Sequence, residues 1–163
     1  MSETDWELFL RDTALCLSTY QGTGPAMVWP ERAHAILPML LGTFGGGPAD
    51  AGWRPAPPGA GANRLAARLG DVIGRTVEAF ERWLLAGSAI SVDDTSADVL
   101  LFPVRGGARC RIDCRDHAAH AQGGLELRLR AGEIVYAPAG HGCTLSGASA
   151  PCPLLLLVLR ATP

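Results

Sequence analysis

Beyond Gly87 the spacing of apolar residues changes from three-and-four to two, and this switch restricts the chain to helices followed by many short strands. Seven segments read as strands, at 88–93, 98–104, 108–114, 125–130, 133–137, 142–145 and 153–160, with Gly, Pro, Asp or Ser between them. Leu125, Leu127 and Leu129 point to one side while Glu126, Arg128 and Arg130 point to the other, as in a sheet with one wet face. The same alternation sends Ala108, Cys110, Ile112 and Cys114 inward and Arg109, Arg111 and Asp113 outward. Strands of this length and spacing imply a sandwich or barrel. The last run, Leu154 through Leu159, is apolar on both faces and must be covered twice, by the helical half or by a second subunit.

The first half is helical in pattern. Trp6, Phe9, Leu10, Thr13, Ala14 and Leu17 recur at helical spacing, with Ser2 or Thr4 placed to cap the start. A second helix is expected to begin at Pro30, with Ala33, Ile36, Leu37, Leu40 and Leu41 on its apolar face and Pro38 kinking it. The stretch 42–61 is dense in Gly, Pro and Ala and reads as a mobile loop, anchored by Trp53. Leu65, Leu69, Val72, Ile73, Thr76, Val77, Phe80 and Leu84 form a stripe of period 3.6 that predicts a third helix over 63–85, stopped by Gly87. Gly70 and Gly74, four apart within it, read as tolerated. The organisation expected is α+β: a helical subdomain over 1–87 packed on a β-barrel over 88–163.

Composition excludes several classes of function. A net charge of −2 exerts no pull on nucleic acid or an anionic membrane. All 14 basic residues are arginines, scattered along the chain, a pattern that fits coding bias in an Ala-, Gly- and Pro-rich sequence. The N-terminus lacks the basic start and apolar run of a signal peptide, and the longest apolar run falls far short of the roughly 20 residues a membrane span needs. A cytoplasmic protein with free thiols is expected, because five cysteines cannot all pair and no secretory context supports disulfides. No glycine-rich segment has the strand-to-helix context and lysine of a phosphate loop.

Gly132-Glu-Ile-Val-Tyr-Ala-Pro-Ala-Gly-His-Gly-Cys143 resembles the second signature of the cupin superfamily, in which a glycine, five residues, Pro-x-Gly and two further residues precede a metal-binding histidine. Asp98-Val-Leu-Leu-Phe-Pro-Val-Arg-Gly-Gly-Ala-Arg-Cys-Arg-Ile112 is similar to a segment of the JmjC-like branch of cupins, and the resemblance covers roughly residues 63–160. It implies a double-stranded β-helix, or jelly roll, holding Fe(II) through His-x-Asp and a distant His, with 2-oxoglutarate as cosubstrate. Carried over residue by residue, the three ligand positions fall on Asp93, Thr95 and Cys143. A slip of one residue brings in Asp94 but no imidazole. Fe(II) oxygenases need two imidazoles and a carboxylate, so the inherited site reads as lost.

Other constellations of cysteine and histidine have plainer roles beside the chemical ones. Cys110-x3-Cys114-x2-His117-x2-His120 offers zinc-type ligands, yet residues four apart on a strand lie roughly 13 Å apart, too far to share one ion. His141 and Cys143 share a strand face but sit roughly 6 to 7 Å apart, beyond direct hydrogen bonding, so a nucleophilic dyad is the weaker reading and a pocket-lining cysteine the stronger. Two functions remain. One is a metal-free cupin, without cofactor, that binds a small molecule or a partner protein in its barrel through Asp93, Thr95, Tyr136, His141 and Cys143. The other is a metal-dependent oxygenase or isomerase, using Fe(II) or Zn, rebuilt from His117, His120, His141 and Cys143. A homodimer paired through barrel edges is expected in either case.

Overall fold

A computed structural model describes residues 1–42, 44–45, 47–49, 51–93, 96–114 and 124–161. The chain opens with helix α1 (Glu3–Tyr20), whose first turn is closed by a capping box. Ser2 Oγ accepts from Asp5 N while the Asp5 carboxylate accepts from Ser2 N, so two end donors are satisfied reciprocally. A short strand β1 (Ala26–Val28) leads to α2 (Ala33–Leu41). This helix starts three residues after Pro30, whose carbonyl accepts from Ala33 N, and Arg32 in a left-handed conformation makes the entry. Pro38 lies inside it.

The glycine- and proline-rich region carries more structure than its composition suggests. Strand β2 (Arg54–Pro55) pairs with a later strand, Ala56 N donates to Ala79 O, and Asn63 Nδ2 ties the Ala56 and Pro57 carbonyls. Trp53 packs against the barrel core and Phe44 meets Trp83 edge-on at 5.8 Å, so aromatic side chains seat a stretch that Gly and Pro cannot.

Helix α3 (Gly61–Ile73) has 13 residues and ends twelve positions before the expected stop at 85, and this is the main correction to the sequence reading. Gly74 adopts φ 67° and ends the helix, its N–H bonding to Gly70 O. Thr76–Leu84 is then strand β3, not helix. The 3.6-residue stripe continued through it by coincidence, because β3 has apolar residues on both faces: Val77, Ala79 and Trp83 lie on the helical side while Phe80 and Leu84 join the barrel core. Gly70 is not merely tolerated either. A Cβ there would stand 2.7 Å from the Arg75 carbonyl oxygen, where the chain doubles back.

Seven more strands follow: β4 (Ile90–Val92), β5 (Asp98–Pro103), β6 (Gly107–Cys114), β7 (Leu125–Arg130), β8 (Ile134–Ala137), β9 (His141–Ser146) and β10 (Cys152–Arg160). All seven expected strands are present. Pairing is nested and antiparallel: β3 with β10, β4 with β9, β5 with β8, and β6 with β7. Successive pairs alternate between two sheets, ordered β1-β8-β5-β10-β3-β2 and β4-β9-β6-β7. This winding is a double-stranded β-helix, and the chain is α+β as expected. Strands β1, β2 and β3, all from the first 87 residues, belong to the larger sheet, so the helical part and the barrel share it.

Strand β10 separates two cores. Leu155, Leu157 and Leu159 pack with α1, α2 and α3, whereas Leu154, Leu156 and Val158 fill the barrel. Both faces of the C-terminal leucine run are therefore covered within one chain. The turn between α3 and β3 is pinned by Arg75: Nη1 donates to Asp98 Oδ2 at 2.8 Å and Nη2 to Leu159 O at 2.7 Å. Asp98 Oδ1 in turn accepts from Ala139 N at 3.0 Å. One partly buried ion pair thus joins the α3–β3 turn, the start of β5, the end of β10 and the β8–β9 turn.

Gly70→Ala is expected to cost roughly 2 kcal/mol or more, because the obstacle is backbone. Gly74→Ala is expected to cost about 1 kcal/mol from its positive φ alone. Urea unfolding of both variants checks the order.

Candidate functional site

The barrel-facing residues of β4, β9 and β6 surround Cys143, the position that the sequence resemblance aligned with a metal ligand. Cys143 stands opposite Val92 on one side and Ile112 on the other. It is 2% exposed, and Val92 and Ile112 are buried with it. Cys110, on the adjacent inward position of β6, is fully buried in the same core as Cys143. Interaction with the Cys110 thiol, followed by burial, pushes the Cys143 thiol well above its ordinary range. The same interaction holds the Cys110 thiol below its ordinary range against the opposing effect of burial. Both cysteines are free thiols.

Neighbours on a pleated strand face opposite sides, so the inward position beside Cys143 is Val92, and Asp93 after it is exposed. The match counted from Asp98 is thus displaced by one residue from the strand's inner face. Asp94 and Thr95 lie outside the described residues, as do His117 and His120. Tyr136 is fully buried but faces the helical layer, because Val135 and Ala137 on either side are its barrel-facing neighbours. Its register partners Leu100 and Ala26 belong to the helical core too. Tyr136 Oη has no hydrogen-bond partner at ordinary distance, and burial, then the Asp98 carboxylate, pushes its pKa up to about 12.

His141 opens β9, opposite Cys114 in register and on the same face as Cys143. It is half-buried, with Nδ1 enclosed and unpartnered among the described residues. The structure therefore brings His141, Cys143 and Cys110 to one wall of the barrel and separates Asp93 and Tyr136 from them. Sequence reasoning did not single out Val92 and Ile112 as the neighbours of Cys143. The alternation Ile90-x-Val92 carried that signal, since it fixes which side of β4 is inward.

This wall does not suit a facial triad. Val92 supplies no donor, and among the described residues no group of three or more His, Cys, Asp or Glu side chains is arranged to hold a metal ion. A nucleophilic role for Cys143 is opposed by its environment, since a buried thiol with a raised pKa supplies little thiolate.

The nested strand pairing gives the barrel the winding of a jelly roll. No family model and no curated protein matches the chain. Solved structures similar to it include a protein of unknown function from Streptococcus pyogenes, SPY1581, at 20% identity and TM-score 0.42 over 53% of this chain and 67% of that one. A DMSP lyase, DddQ from Ruegeria pomeroyi, is similar at 21% identity and TM-score 0.41 over 52% of this chain and 38% of that one. RmlC from Streptococcus suis is similar at 12% identity and TM-score 0.45 over 53% and 45%. The chain spans less than half the length of the last two. These likenesses concern fold alone. Among the described residues no helix is long and apolar enough to cross a membrane.

Buried acidic groups set the alkaline limit of the fold. Burial raises the Cys152 thiol from 9.0 to about 11, and Tyr136 from 10.0 to about 12. A raised folded-state pKa means that the protonated form is the one the fold accommodates. The contribution is complete below the unfolded pKa and is lost as pH rises through the folded value. Stability is expected to fall from pH 9 upward, first through Cys152 and then through Tyr136. Denaturant midpoints measured between pH 8 and 12 check this, and Cys152→Ala is expected to flatten the lower part of the slope.

Proposed function

We propose that this chain is a cupin-fold binding protein that works without a metal centre and takes an apolar small molecule at the barrel end carrying His141. The observation that carries this reading is the packing of Cys143 between Val92 and Ile112, where a metal-binding cupin needs imidazole. Nearby inward residues, Val99, Ala137 and Val158, are also apolar, so the wall favours contact with hydrocarbon over coordination of an ion. His141 Nδ1, enclosed and without a partner, supplies one polar group to orient such a molecule. A partner protein's apolar side chain would be received by the same chemistry.

A second reading, a metal-dependent oxygenase or isomerase with a rebuilt Fe(II) or Zn site, is favoured by the same unpartnered nitrogen. His141 and Cys143 would contribute two ligands, with His117 or His120 completing the set.

Metal content separates the two. Protein expressed with ample iron and zinc, and purified without chelator, is expected to carry well under one equivalent of either, unchanged by His141→Ala. Stoichiometric metal that disappears in His141→Ala would contradict the first reading and support the second.

A further inference from the structure

A groove of about 800 Å³ lies between α1 and the C-terminal half of α3, away from the barrel. Its lining runs along α1 from Glu3 to the cap at Gln21, so it follows that helix for its full length of about 27 Å. Leu10, Leu17 and Ile73 form the floor, while Leu15 and Val72 stand in water on the two sides at 63% and 55% exposure. A channel of this length and apolar character between two helices has the shape that receives a third.

The charges around it are one-sided. Each of the three arginines on its border already has a partner in the chain: Arg68 pairs with Glu3, Arg75 with Asp98, and Arg11 with Asp12 and Glu31. Glu7 on α1 and Asp71 on α3, both exposed, take part in no ion pair among the described residues. Both helices also end at the groove, and neither has a basic residue in its last turn. Arg75, just beyond α3, turns its guanidinium to Asp98 and the Leu159 carbonyl instead. The partial negative charge of each helix C-terminus is thus left without a basic side chain from its own helix. Two unmatched carboxylates and two bare helix ends favour positive charge in whatever covers the apolar floor.

We infer that the groove receives a helical segment of a partner protein, apolar on one face and flanked there by lysine or arginine. Its apolar residues, spaced i, i+3, i+4 and i+7, pack on Leu10, Leu15, Leu17 and Val72. Its cations reach Glu7 on one side and Asp71 on the other. An acidic helix of the same shape is rejected, because it brings like charge against both carboxylates. The inference is independent of what the barrel holds.

Fluorescence anisotropy of a labelled model peptide, titrated with the full chain, tests it. The probe is an amphipathic helix with leucine at those spacings and lysine elsewhere, and its control has glutamate in place of lysine. The lysine peptide is expected to bind saturably, and the glutamate peptide roughly 10-fold more weakly or not at all. Leu15→Gln and Val72→Gln, at exposed positions and with unchanged circular dichroism, are each expected to weaken binding roughly 5-fold or more. Glu7→Gln and Asp71→Asn are each expected to weaken it about 3-fold at low salt. That difference is expected to vanish at about 1 M salt, where the screening length falls to about 3 Å. Absence of saturable binding, equal binding of the two peptides, or binding indifferent to these substitutions would each overturn the inference. Saturable binding of hexylamine in place of the peptide, lost in the same variants, would assign the groove to a small amine and overturn it too.

Discussion

A strand that is apolar on both faces cannot be left with either face in water, and β10 imposes that condition on the whole molecule. One side of it, through Leu154, Leu156 and Val158, requires a closed barrel, and the other, through Leu155, Leu157 and Leu159, requires a helical layer. The two parts are thus consequences of one strand. Its neighbours β3 and β5 follow the same rule, contributing Ala79 and Phe102 to the helical core and Phe80 and Leu101 to the barrel. Every central strand of the larger sheet separates two dry compartments. The Arg75–Asp98 pair fixes the ends of these strands relative to one another, at the barrel end where β9 also begins.

This two-sided burial explains where the sequence was legible. Strands with one wet face announce themselves: Arg109, Arg111 and Asp113 alternate with Ala108, Cys110 and Ile112, and the structure keeps that alternation. Strand β3 lacks it. With Val77, Ala79 and Trp83 buried or half-buried on one side and Phe80 and Leu84 on the other, no period of two survives, and a helical stripe fits the pattern by chance. The contrary signal lay in Gly70 and Gly74, which a helix interior disfavours, and in the β-branched pair Thr76-Val77 immediately after them. Strands β1 and β2, at three and two residues, are too short for any period to register. Leu125 was legible in direction but not in degree: β7 runs from exposed Leu125 to buried Leu129 along one face.

For the candidate site, motif and pleat gave different answers one residue apart. The Pro-x-Gly motif placed Cys143 correctly on an inward position. Counting back from Asp98 placed the other ligands on Asp93 and Thr95, whereas the β4–β9 register makes Val92 the inward residue. Tyr136 shows the same effect in the opposite sense, since its place within the motif says nothing about the side of β8 on which it falls. A residue's face is set by pairing, and pairing is not written in a linear motif. Among the described residues, the inner wall around Cys143 carries the Cys110 thiol and aliphatic side chains, with His141 at its rim.

The central claim is that the Cys143 thiol belongs to an apolar barrel core and not to a coordination sphere. Titration of the native chain with cobalt(II), followed by the optical absorption of cobalt–thiolate charge transfer, tests it most directly. The account predicts no charge-transfer absorption that depends on Cys143 while the protein is folded. Absorption that saturates at one equivalent in the native protein, and is absent in Cys143→Ser, would contradict it.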